Sequence, residues 1–207
     1  MTKDPSLDAA YALQGKDAVK DLYQNWADTY DTGFAADQGY QLPKQVALAY
    51  AENGGNGPVL DVGAGTGLGA SELAKHNITP IDGVDLSPEM LAVAKSKGLY
   101  RALIEADITE PLPGNPTYAG IVSAGTFTLG HVGPEGLDTL LKGAAPNTLF
   151  TISVNAQHFE TAGFATFLDQ AAPSITALTL KDVNIYDHRA DAAHQNDTAR
   201  LLIFRKR

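Results

Sequence analysis

The chain has 207 residues, a formal net charge of −9 and no cysteine. That length fits one domain with a sizeable core. The acidic balance disfavours nucleic acid and anionic membranes as partners, because both are gripped through basic stripes. The missing cysteines remove disulfides, thiolate zinc sites and thiol nucleophiles. The opening stretch MTKDPSLDAAYALQ has no apolar signal-peptide core, and no run reaches the ~20 apolar residues of a membrane span. A cytoplasmic protein is the expectation, and oligomeric state is silent in the sequence.

Two helices are expected first, over about 16–31 and 37–53. In the first, Val19, Leu22, Tyr23, Trp26 and Tyr30 recur at spacings that share one helical face. The run Asn53-Gly54-Gly55-Asn56-Gly57-Pro58 breaks the chain. Strands and helices then alternate. Strands are expected at 58–62, 81–85, 100–106, 119–123 and 148–154, with helices at about 67–76, 87–97, 134–142 and 159–171. Ser87 suits an N-cap and Pro88 the first helical turn. The end changes character: 175–186 and 199–206 read as two strands around a polar tip. Repeated βα units with a final hairpin predict a Rossmann-like, doubly wound sheet of seven strands, parallel apart from a C-terminal antiparallel pair. Such sheets bind ligands beyond the carboxyl ends of their strands.

The strongest local signal is Asp61-Val62-Gly63-Ala64-Gly65-Thr66-Gly67, between a strand and a helix. Glycines there let a ligand approach the backbone. Two cofactors fit. Gly65, Gly67 and Ala70 satisfy the nicotinamide spacing G-x-G-x-x-G/A. Asp61, Gly63, Gly65 and Gly67 satisfy an acid followed by x-G-x-G-x-G. Asp85, at the end of the second strand, could hold ribose hydroxyls for either. The nicotinamide register leaves Asp61 and Gly63 without a role and offers pyrophosphate no early basic residue. A further acid beside an apolar residue, Asp107-Ile108, suits the amine and face of an adenine.

With VLDVGAGTG at 59–67, GVDLSPEML at 83–91 and EADI at 105–108, the sequence resembles the class I S-adenosylmethionine-dependent methyltransferases. Tyr23-x-x-Trp26-x-x-x-Tyr30-Asp31 and SAGTFTLGHVGP at 123–134 resemble a narrower group around the Williams–Beuren region methyltransferase. The resemblance implies one methyltransferase domain over 1–207: a helical lid to residue 53, a cofactor-binding core over 54–155, and a terminal helix and hairpin. It implies S-adenosylmethionine as cofactor and S-adenosylhomocysteine as product. Gly63, Gly65 and Gly67 would line the methionine and ribose, and Asp61 would sit at the amino-acid end. Asp85 would hold the ribose, and Leu86, Asp107 and Ile108 the adenine. Ser123 would lie near the sulfonium, with Tyr23, Trp26 and Tyr30 in a lid.

Direct displacement from a sulfonium needs no protein nucleophile, and a general base matters only for a protonated acceptor. His131, after the fourth strand, is the first candidate base, and His158, after the fifth, the second. His188 and His194 beside Asp187, Asp191 and Asp197 read as a solvated hairpin tip, so no metal site is expected. The expected acceptor is a small molecule, attacked at oxygen, nitrogen or sulfur. The rivals are a nicotinamide-dependent oxidoreductase and a cofactor-binding protein without catalysis.

Overall fold

A computed structural model describes residue 27, residues 29–114 and residues 117–207 of the chain. The expected helix at 16–31, with Tyr23 and Trp26, lies almost wholly outside the described residues.

Seven strands form one sheet: β1 (Val59–Val62), β2 (Ile81–Asp85), β3 (Tyr100–Glu105), β4 (Gly120–Phe127), β5 (Leu149–Asn155), β6 (Ile175–Asn184) and β7 (Thr198–Lys206). Their order is β3-β2-β1-β4-β5-β7-β6. All neighbours run parallel except β7, which is antiparallel to both β5 and β6. The expected Rossmann-like sheet with its antiparallel C-terminal strands is therefore the fold. The order of strand addition reverses between the parallel neighbours β1 and β4, which opens a crevice at their carboxyl ends.

The inner strands are apolar on both faces because helices cover both, while the edge strands β3 and β6 are largely exposed. Val59, Leu149, Leu201 and Ile203 pack against α1 (Leu42–Glu52), α2 (Leu68–Lys75) and α3 (Pro88–Ser96). Their neighbours in the two-residue alternation, Leu60, Phe150, Ile152, Leu202 and Phe204, pack against α4 (Pro134–Gly143), α5 (Ala156–Thr161) and α6 (Phe164–Ala171). Phe150 and Phe204, paired across β5 and β7, stack with centroids 4.8 Å apart. Ser87 caps α3 as expected, its hydroxyl accepting the Met90 N–H at 3.2 Å.

Three boundaries differ from the sequence expectation. The helix expected from residue 37 starts at Leu42, where Pro43 fixes the first turn; before it lies a π-helical turn, Asp31–Ala35. The helix expected over 159–171 is two helices, because Gly163 takes a left-handed conformation between them. Strand β4 runs four residues past Ser123, and its ladder to β5 breaks register between Ser123 and Phe127. That irregularity carries Ala124, Gly125 and Thr126 over the crevice.

Candidate functional site

A cavity occupies the crevice, walled on one side by the loops after β1, β2 and β3. Asp61 ends up beneath the first turn of α2. Its carboxylate accepts the Tyr100 hydroxyl at 2.7 Å and the Ala70 N–H, so it faces the positive end of the helix. The fit is close: a Cβ on Gly69 would lie 2.6 Å from the Asp61 Oδ2. Burial pushes the Asp61 carboxyl up to about 6, against the lowering pull of Tyr100, and the charge of Asp85 adds to the rise. Asp85 accepts the Gly65 N–H at 2.8 Å on one oxygen and the Ser87 N–H at 2.9 Å on the other. Burial raises its carboxyl, and those amides with that of Leu86 oppose the rise. Asp107 accepts both the amide (2.9 Å) and the hydroxyl (2.7 Å) of Thr109 on Oδ1, which fixes its side chain beside Ile108.

The glycine loop joins this wall to the opposite one. Gly63 has φ +67°, and a Cβ there would lie 1.9 Å from the Thr126 Oγ1. Gly65 is different: an added Cβ would meet only the Gly63 carbonyl, at 4.0 Å, so its cavity side is open for a ligand.

The second wall comes from the turn before α1 and the loop after β4. It includes Tyr30, Tyr40, Pro43, Gly125, Thr126, Gly130, His131, Val132 and Glu135. The turn is tied down through Asp31, whose carboxylate accepts the Thr66 hydroxyl and pairs with Lys97 at 2.5 Å. Tyr40 bridges to Tyr186 of the terminal hairpin, their rings 5.9 Å apart. His131 Nδ1 lies 2.9 Å from the Leu129 carbonyl. A carbonyl can only accept, so Nδ1 carries the proton and Nε2 the lone pair. Burial lowers the His131 pKa, the Leu129 carbonyl opposes that, and nearby His158 lowers it further, so the ring is neutral at pH 7.

Of the residues expected at the site, Tyr30, Asp61, Gly63, Gly65, Asp85, Leu86, Asp107, Ile108 and His131 line the cavity. Three described residues do not. Gly67 is the N-cap of α2, packed on Tyr100 and Ala94. Ser123 is fully buried, its hydroxyl donating to the Val62 carbonyl at 2.8 Å. His158 Nε2 meets the Val132 carbonyl at 3.0 Å and its ring sits edge-on to Phe164, in the core beside α6. Tyr23 and Trp26 lie outside the described residues. Sequence reasoning missed Tyr40, Tyr100 and Thr126. Each reaches the site through space, and the available hint was the glycine each one crosses.

The arrangement suits S-adenosylmethionine better than a dinucleotide. Pyrophosphate docks on a helix N-terminus, and in α2 a buried carboxylate already holds that place. Among the described residues, no Lys or Arg lines the cavity, and no group of His, Asp or Glu has metal-ligand geometry. No described helix is long and apolar enough to cross a membrane.

Comparison with known proteins agrees. Residues 59–146 match the family model for a methyltransferase domain. The chain is 35% identical over 118 residues to human methyltransferase-like protein 27, covering 54% of this chain and 47% of that one. It thus spans about half the length of that relative. Its fold is similar to magnesium protoporphyrin IX methyltransferase from Synechocystis, solved with S-adenosylmethionine bound (TM-score 0.64, 16% identity, 99% of this chain and 100% of the other). It is also similar to a TehB-like methyltransferase from Corynebacterium glutamicum (TM-score 0.62, 21% identity, 89% and 98% covered).

Proposed function

We propose that the chain, whose residues 59–146 match a methyltransferase domain, is a class I, S-adenosylmethionine-dependent enzyme that methylates a small, ring-bearing acceptor that is neutral or cationic. The observation that carries this is the two-walled cavity. Three carboxylates and an open glycine backbone form one wall, and tyrosine rings with a neutral histidine form the other. S-adenosylmethionine, when bound, supplies a methyl group on an activated sulfonium. Asp61 would accept from its α-ammonium, Asp85 from the ribose hydroxyls, and Asp107 from the adenine amine, with Leu86 and Ile108 against the ring. Holding two reactants in line contributes roughly 7–11 kcal/mol in favourable cases. On the other wall Tyr30, Tyr40, Pro43 and Val132 offer flat apolar surface to the acceptor. His131, through Nε2, would take the proton of an acceptor that carries one. Four carboxylates line the cavity (Asp61, Asp85, Asp107 and Glu135), with no Lys or Arg among the described residues. The protein thus offers an anionic acceptor no basic partner among the described lining residues, and the bound sulfonium would be its only cation there.

Thermal unfolding with excess S-adenosylmethionine, S-adenosylhomocysteine or NAD tests the cofactor. Ligand at about 100 times its Kd stabilises by roughly 2.7 kcal/mol, a rise of about 5–11 °C at this size. The adenosyl ligands should give it and NAD should not; a response to NAD alone would make the protein an oxidoreductase. Transfer of labelled methyl to matched phenol, amine and carboxylate panels then tests the acceptor. Preferential methylation of the carboxylates would overturn the charge assignment.

A further inference from the structure

Tyr100 belongs to β3 and Asp61 to β1, with β2 between them. The phenol crosses the intervening strand because β2 carries Gly83, where an added Cβ would lie 2.8 Å from the Tyr100 ring. A Cβ on Gly67 would likewise lie 3.1 Å from it. The ring thus lies in a slot cut by two glycines and ends 2.7 Å from the Asp61 Oδ2. Nothing in packing demands a hydroxyl there, since a phenylalanine would fill the same slot. The group that benefits is Asp61, which is 2% exposed and lines the cavity beside the glycine loop.

We propose that Tyr100 is a positioning residue of the cofactor site, donating its hydroxyl to Asp61 so that this buried carboxylate stays ionised and aimed at the amino-acid end of the cofactor. This rests on the cofactor assignment above and goes past it, to what keeps the acid competent. Three groups act on the Asp61 carboxylate: Tyr100 from β3, the Ala70 amide of α2, and Asp85 from β2. The first two favour its charge and the third opposes it. Asp31 and Lys97, which meet at Thr66, neutralise each other. Burial and the charge of Asp61 hold the Tyr100 phenol far above its ordinary range, so it remains a donor at any working pH. Asp61 sits near 6. It therefore loses its charge, and with it the attraction for an ammonium, as pH falls through the range just below neutrality.

The test compares S-adenosylhomocysteine with 5′-methylthioadenosine, which shares its neutral thioether but lacks the amino-acid moiety. Asp85 and Asp107 serve both ligands, so the ratio of their dissociation constants isolates Asp61. In the unchanged protein, the advantage of S-adenosylhomocysteine should shrink at least several-fold between pH 7.5 and 5. In Tyr100→Phe the same loss should set in at higher pH, by half a unit or more, with the advantage recovered at pH 8.5. In Asp61→Asn the ratio should be flat. The Asp61 carboxyl signal in the ligand-free protein, read by carbon NMR, should titrate later in Tyr100→Phe. A pH-independent weakening in that variant, or a ratio flat with pH in the unchanged protein, would overturn the assignment. If neither ligand binds the unchanged protein, the cofactor assignment itself fails, which is a separate outcome.

Discussion

The two walls of the cavity are built by different means. The nucleotide wall consists of the loops after β1, β2 and β3, where main-chain amides hold two of the three carboxylates and the third, Asp61, takes the Tyr100 hydroxyl. Asp85 takes the amides of Gly65 and Ser87, and Asp107 that of Thr109. The acceptor wall is assembled from distant segments and held by side chains: Asp31 to Thr66 and Lys97, Gln41 to Asp187, and Tyr40 against Tyr186. Amides on a packed sheet are pre-placed and tolerate little change. Side-chain ties between remote turns are separable, so the second wall can vary or move while the first stays.

The severest test of that contrast is Gly63, where the walls touch. An L-residue in its left-handed conformation costs roughly 1–2 kcal/mol, and overpacking typically adds about 1–3 kcal/mol. Gly63→Ala should therefore lower Tm by on the order of 10 °C and weaken cofactor and acceptor together. Adding Thr126→Ala removes the oxygen that the new Cβ would strike at 1.9 Å, and should restore part of the loss but not the backbone share. Full additivity of the two changes would mean that the walls do not meet there.

Asp85→Ala should act on one wall alone. Hydrogen bonds to a charged group contribute about 1.5–3 kcal/mol, so binding of S-adenosylhomocysteine and of adenosine should each weaken roughly 10–150-fold by calorimetry. Acceptor KM at saturating cofactor should hold. Loss of acceptor binding as well would break the separation.

Asp31→Ala is the reverse probe. Asp31 and Lys97 are each about a quarter exposed, so solvent screening reduces their pairing and the loss should be about 1 kcal/mol. Tm should fall by roughly 2–4 °C, and acceptor KM should rise several-fold as the Tyr30 turn loosens, with cofactor Kd held. An unchanged acceptor KM would show that this turn does not shape the acceptor wall.

The same contrast decides what was legible in the sequence. Asp61, Gly63, Gly65, Asp85 and Asp107 stand at or just past strand ends in contiguous strings, and the ends of such buried strands can be found where short apolar runs stop. The loops after β1 and β2 are short, so position along the chain nearly determines position in space there. The sheet, its helices on both faces and its terminal hairpin were legible for the same reason. Tyr40 and Thr126 were not, because Tyr40 lies about 85 residues from the Gly125 it covers, and no local pattern announces a strand that runs past its expected end. Ser123 was expected one step too far out: β4 continues beyond it, so its hydroxyl caps the Val62 carbonyl inside the sheet while Ala124 to Thr126 face the cavity. Tyr100 read as a plain strand residue, and only Gly83 opposite marks its path.

Tyr40→Phe should have the smallest effect and is the most selective probe of the acceptor wall. The hydroxyl comes so close to Gly125 that an added Cβ there would lie 2.3 Å from it, which places it over the carboxyl end of β4 beside Thr126. The ring itself packs on Tyr186, and phenylalanine keeps that contact. Removing one oxygen without disturbing the ring should change Tm by no more than about 1 kcal/mol equivalent. The Kd for S-adenosylhomocysteine should stay within twofold, because the carboxylates of the nucleotide wall are held by Tyr100 and by main-chain amides. Any change should appear in acceptor KM or kcat, several-fold at most for one neutral hydrogen bond. A tenfold change in cofactor Kd with acceptor kinetics untouched would reverse the assignment of walls, since Tyr40 would then face the nucleotide.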